Sequence, residues 1–156
     1  MHEQTAKIDE LLPILHDMYN KKIPFNKLLG LRIESLEIEN IRVAFDMKEE
    51  LVGNYVHGIL HGGVISAVLD TTGGLIASLG VLQKMEGQPV KEVGKRLSRI
   101  GTIDLRVDYL RPGSGKQFVA TGSIMRAGRK VTVTRMELHN DQDLLIAVGT
   151  GTYIVG

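Results

Sequence analysis

His61-Gly62-Gly63-Val64-Ile65-Ser66-Ala67-Val68-Leu69-Asp70-Thr71-Thr72 decides the fold of this chain. Residues 64–82 are apolar nearly all round, which predicts a helix enclosed by protein on most sides rather than one lying on a surface. The segment is almost long enough to cross a bilayer. A carboxylate at mid-span and glycines at 73, 74 and 80 argue instead for a core helix. Burying Asp70 in such a run is costly, so the residue is expected to do chemistry.

C-terminal to this helix the period changes from helical to two. Ile103, Leu105, Val107 and Tyr109 alternate with Thr102, Asp104, Arg106 and Asp108. Further strands are expected at 117–126, 130–140 and 144–154, separated by Arg111-Pro-Gly-Ser-Gly, Ala127-Gly-Arg and Asn140-Asp-Gln-Asp. On the N-terminal side, residues 53–63 read as loop. Before them Leu31 and Ile33 alternate, the phase slips at Leu36 and Ile38, and Ile41, Val43, Phe45 and Met47 alternate again after Glu39-Asn40. That pattern predicts a hairpin with an irregular first strand. Residues 3–20 place Ile8, Leu11, Leu12, Leu15 and Met18 on one helical face, with Pro13 kinking the helix or marking its true start. The sum is an α+β hotdog fold, an antiparallel sheet of about five to six strands wrapped around a central helix. The expected division is an N-terminal helix at 1–24 and a single domain at 25–156.

Composition narrows the function. The chain has 156 residues, 19 Lys and Arg against 18 Asp and Glu, and no cysteine. No basic run tracks a phosphate backbone, so nucleic acid is not an expected partner. Without cysteine there is no disulfide framework and no thiolate nucleophile, and a reducing cytoplasm is the expected setting. The N-terminus, with Glu3, Lys7, Asp9 and Glu10 among its apolar residues, does not read as a secretory signal. His57 and His61 are four apart, but Gly58 and Gly62 interrupt any helix there and no third ligand is evident, so no metal is expected. Gly113-Ser-Gly-Lys116 lacks the flanking residues of a phosphate loop and reads as a strand connection.

A helix beginning at Gly62 or Gly63 offers unpaired N–H groups and a positive dipole end to a carbonyl oxygen that gains charge during acyl transfer. Asp70 then serves as a general base toward water or as a nucleophile; the alternative is a buried carboxylate paired with Arg106 or capping backbone groups. Gly62 and Asp70 are eight residues apart, roughly 12 Å along a straight helix. They cannot both touch one acyl carbonyl. A two-fold partner with its central helix running antiparallel would bring its Asp70 to this chain's Gly62, so a dimer with two composite sites is expected.

Asn54-Tyr-Val-His-Gly-Ile-Leu-His61-Gly62-Gly63, then Asp70, then Thr102-Ile-Asp-Leu-Arg-Val-Asp-Tyr resemble the PaaI-type acyl-CoA thioesterases. Within them the chain resembles the YigI-type bacterial thioesterases, through Leu60-His-Gly-Gly-Val-Ile and Leu97-Ser-Arg-Ile-Gly-Thr-Ile-Asp-Leu-Arg-Val-Asp-Tyr-Leu-Arg-Pro-Gly. The resemblance implies an acyl-CoA hydrolase of fatty acid metabolism, a homodimer or a homotetramer built from dimers, and no prosthetic group. It implies that Asn54 places water or the thioester, although Asn54 stands one residue farther from His61 than in many relatives. Thr102 matches a Ser or Thr near the catalytic carboxylate, and His61 orients the carbonyl or fixes the loop.

The phosphates of coenzyme A need basic partners, for which Arg126, Arg129 and Lys130 around Ala127-Gly128 are the candidates. Solvated hairpin charges are the competing reading. Residues 83–99 are too long for a simple turn and are expected to form a lid or a second rim. Leu51, Val52 and Ile59 are expected to line an acyl tunnel with the central helix; a medium- to long-chain acyl group is what the YigI-type resemblance implies. Two other functions compete, a non-catalytic acyl-CoA- or lipid-binding regulator and a hotdog hydratase, though a hydratase would want a spaced Asp and His pair that does not stand out here.

Overall fold

A computed structural model describes residues 4–156. Glu3 and the first positions of the expected 1–24 segment lie outside the described residues. Helix α1 spans Ile8–Asp17 and buries Leu11 and Leu15, one turn apart, in the core. Pro13 sits inside this helix rather than at its start. The expected run to residue 20 breaks instead into a π-helical turn, Met18–Lys22, followed by a short helix α2 at Pro24–Leu29. Side chains fix the break: Asn20 Oδ1 accepts from Ile33 N–H at 2.8 Å, and Asn26 Nδ2 donates to the Tyr19 carbonyl at 3.0 Å. The N-terminal segment thereby shares the core, to which Ala6, Leu11 and Leu15 contribute.

Strands β1 (Arg32–Glu37) and β2 (Asn40–Asp46) form the expected hairpin, and its register shifts between Ile33 and Ser35. The stretch expected to be loop is more ordered. A 3-10 turn at Glu49–Leu51 leads into two short paired strands, β3 (Val52–Asn54) and β4 (Ile59–Leu60). His61 N–H donates to the Leu51 carbonyl at 2.8 Å, which ties this ribbon to the start of the central helix.

That helix, α3, runs Gly62–Lys84, and every residue from Thr72 to Leu82 is buried. Its first half is not enclosed all round as the pattern predicts: Gly63 is exposed, and Val64, Ala67, Asp70 and Thr71 are half-buried on one face. Strands β5 (Gly101–Tyr109), β6 (Gln117–Ala127), β7 (Val131–Asn140) and β8 (Leu145–Ile154) follow with bounds close to those expected. The six-stranded antiparallel sheet has the order β1-β2-β6-β7-β8-β5 and curls around α3, which packs chiefly on β6, β7 and β8. On β7, Thr132, Thr134, Met136, Leu138 and Asn140 all turn inward, the period-two signature of a strand with one buried face. Each fully buried side chain such as Leu69, Leu75, Ile76 or Phe118 contributes about 1.5–3 kcal/mol of transfer free energy.

Residues 83–99, expected to form a lid or a second rim, are ordered. They contain helix α4, Val90–Leu97, which buries Val93 and packs on α3. Arg96 clamps it down, donating to the carbonyls of Val155 and Arg129. Among the described residues α3 alone is long and apolar enough to cross a membrane; it is the core helix, and its most apolar window is 67% buried.

Candidate active site

The junction of β4 and α3 carries the first half of the site. His61 is the N-cap of α3, in extended conformation, and its Nδ1 accepts the Gly63 N–H at 2.8 Å. An acceptor there satisfies one of the orphan donors of the first turn. It also places the ring proton of neutral His61 on Nε2. The Gly63 N–H is thus occupied within the chain. The Gly62 N–H, by contrast, has no partner among the described residues. Gly62 is half-buried, its carbonyl accepts from the Tyr109 hydroxyl at 3.1 Å, and a Cβ there would sit 3.4 Å from the Tyr109 ring. Asn54, expected to handle water or the thioester, turns its Oδ1 to its own loop and accepts from Val56 N–H at 3.1 Å and His57 N–H at 3.3 Å.

Two turns farther along α3, Asp70 carries the second half. Its Oδ1 accepts from Thr102 Oγ1 at 2.9 Å and lies 3.2 Å from the Tyr153 hydroxyl. The pairing with Arg106 does not form, because Arg106 reaches Asp108 at 3.2 Å instead. Asp70 is half-buried in a cavity of about 220 Å³ lined by Tyr19, Phe25, Gly74, Thr102 and Tyr153. Burial, then the negative charge and hydrogen bond of Asp70, push the Tyr153 phenol above its ordinary range. Burial raises Tyr19 as well, and its hydroxyl lies 3.4 Å from Ser78 Oγ. Both phenols are therefore proton donors, not anions, at neutral pH.

His61 and Gly63 line a different cavity of about 270 Å³, walled by Phe25, Leu28, Leu51 and Val64. Of the residues expected at an acyl tunnel, Leu51 is there. Phe25, on α2, lines both cavities. The basic hairpin lies at the other end of α3. Arg126, Arg129 and Lys130 are exposed, but the Gly128 N–H is used within the turn, donating to the Val131 carbonyl at 2.9 Å. Lys84 anchors the hairpin from the helix end, donating to the Ala127 carbonyl at 2.7 Å and the Gly128 carbonyl at 3.0 Å.

Residues 57–147, which run from the turn before the central helix into β8, match a protein-family model described as the thioesterase superfamily. The chain belongs to the thioesterase superfamily. It is 47% identical to the medium/long-chain acyl-CoA thioesterase YigI of Escherichia coli (strain K12), over 95% of this chain and 96% of that protein. The YigI of Salmonella typhimurium is equally similar, 47% over the same shares. A crystal structure from Shewanella oneidensis, described as related to the thioesterase superfamily, superposes with a TM-score of 0.93 at 48% identity, covering 98% of this chain and 100% of that one. As a superfamily member the protein is a hydrolase in the hotdog fold.

Sequence reasoning brought Asp70, Thr102, Gly62 and His61 forward and missed Tyr153, Tyr19, Tyr109 and Phe25. Tyr153 falls in register among the inward residues of β8, so it reads as an ordinary core position. Only the pairing of strands against α3 brings its hydroxyl to Asp70.

Proposed function

We propose that this protein hydrolyses medium- to long-chain acyl-CoA thioesters to free fatty acid and coenzyme A, at composite sites formed between two copies of the chain. The observation that carries this reading is that the free N–H of Gly62 and the carboxylate of Asp70 are separated by eight residues of straight helix, about 12 Å, and that His61 and Asp70 open onto different cavities. Each half of the chemistry is present and neither is complete. The half-open face of α3, with Val64, Ala67 and Thr71 of small or moderate size, suits close approach of a second, antiparallel α3. The sheet supports the same pairing. Its edge strand β5 carries exposed Ile103 (57%) and Tyr109 (54%), apolar surface that a second copy would cover.

In the dimer the substrate carbonyl accepts from Gly62 N–H of one chain, at the positive end of α3. Asp70 of the other chain acts as general base toward water or as nucleophile, and the tetrahedral oxyanion formed by either route is held by the same N–H. His61 keeps Gly63 and the helix start in place, Asn54 shapes the preceding turn, and Thr102 orients the carboxylate. The apolar cavity of Phe25, Leu28, Leu51 and Val64 takes the acyl chain, supported by the medium/long-chain activity named for the YigI relatives. The side chains of Arg126, Arg129 and Lys130 meet the phosphates of coenzyme A. Catalysis on this scheme uses side chains and backbone alone, and the cysteine-free composition supports a cytoplasmic setting.

A thiol-release assay over an acyl-CoA panel of increasing chain length tests the reading. Medium and long chains should turn over fastest, and Asp70→Ala should cut kcat by about 10³-fold or more, the scale of losing a principal catalytic group. Tight acyl-CoA binding with no thiol release, unchanged by Asp70→Ala, would show a binding protein instead.

A further inference from the structure

We propose that Tyr153 is a positioning residue for catalysis: with Thr102 it fixes one carboxylate oxygen of Asp70, Oδ1, and so leaves Oδ2 as the oxygen that meets water or the thioester. The inference rests on Asp70 being the catalytic carboxylate. Thr102 Oγ1 donates to Oδ1 at 2.9 Å from the edge strand β5, while the Tyr153 hydroxyl lies 3.2 Å from the same oxygen and 3.0 Å from the Asp70 carbonyl, reaching it from β8. Thr102 gives Oδ1 a hydrogen bond of its own, and the single Tyr153 proton is shared between Oδ1 and the Asp70 carbonyl, so the two hydroxyls together restrain the carboxylate about its last bond. No contact within hydrogen-bond distance is made to Oδ2 among the described residues.

The phenol is itself held. Tyr153 is 1% exposed, and side chains are absent where its ring would meet them: a Cβ on Gly73 would lie 2.2 Å from its hydroxyl, and one on Gly151 would lie 2.5 Å away. A hydrogen bond to a charged group from a ring held in such a socket orients strongly, because the phenol has little room to turn away.

The test compares wild type, Asp70→Ala and Tyr153→Phe in steady-state thiol release, with melting temperatures alongside. Tyr153→Phe should lower kcat about tenfold or more, the reach of one hydrogen bond to a charged group, with KM within about twofold of wild type. Full activity in Asp70→Ala would sink the catalytic reading. An inactive Asp70→Ala beside a Tyr153→Phe of wild-type kcat, or one that changes KM alone, would overturn the role of Tyr153 while leaving that reading intact. If Tyr153→Phe does not fold, the wild-type protein decides: the Tyr153 hydroxyl proton should give a slowly exchanging low-field NMR signal that moves in Asp70→Asn. A signal indifferent to that substitution would overturn the proposal.

Discussion

At the scale of single residues, two phenols lining the Asp70 cavity make the stability of the protein fall in the alkaline range. Tyr153 and Tyr19 are both raised, chiefly by burial, above the ordinary phenol value near 10. The unfolded chain releases these protons first as pH rises. Their contribution is therefore whole below about pH 10 and declines above it, by up to about 1.4 kcal/mol per pH unit for each phenol. Urea unfolding from about pH 9 to about pH 11 should show this fall, and Tyr153→Phe should make it shallower. Legibility at this scale divides sharply. A charge inside an apolar helix announces itself, so Asp70 stood out; a phenol at an inward strand position does not, because a core tyrosine and a positioning tyrosine have the same pattern.

Elements were legible wherever the hydrophobic period was clean. The three C-terminal strands fall within about a residue of expectation, a closeness that strict alternation permits. Where side chains rather than periodicity set the boundary, the pattern failed. Asn20 bonds to β1 where the expected helix loosens into a π turn, and Arg96 docks α4, in a stretch whose length alone suggested a lid or a second rim, by donating to two distant carbonyls. Packing of α3 against β8 has its own test. A methyl group at Gly73 would stand 2.2 Å from the Tyr153 hydroxyl and 2.8 Å from Thr134 Oγ1, both in the buried core. Gly73→Ala should gain helix propensity yet lose about 1–3 kcal/mol overall to overpacking, seen as a lower melting temperature. An unchanged or higher melting temperature would mean that the helix and strand can part at little cost.

For the whole molecule the question is whether one chain suffices. Gly62→Pro removes the free N–H with little backbone disturbance, since position 62 opens α3 and His61 already holds φ −63° and ψ 135°, the region favoured before proline. Alone it should fold and lose about 10²–10³ in kcat, the cost of one oxyanion donor. Asp70→Ala should be inactive by itself. Co-expressed with separable tags and purified as the mixed dimer, the two should restore about half the wild-type rate, because symmetry leaves one of two centres with both groups intact. Mixed dimers as inactive as their parents would place both groups on one chain and refute the shared site.

The sequence by itself determined what local chemistry can determine: the hairpin, the central helix and the four later strands where the hydrophobic period is clean, that the central helix is a core element, and that a carboxylate sits eight residues after a helix start. Those are properties of spacing and of the cost of burying charge, and they travel with the chain. The cap that His61 places on Gly63 is local too, two residues along the chain. Tertiary structure decided which oxygen of Asp70 is held, by bringing Thr102 and Tyr153 together. Such contacts join residues 32 and 83 positions apart in the chain, and no local pattern encodes them because they exist only once the sheet has closed around the helix.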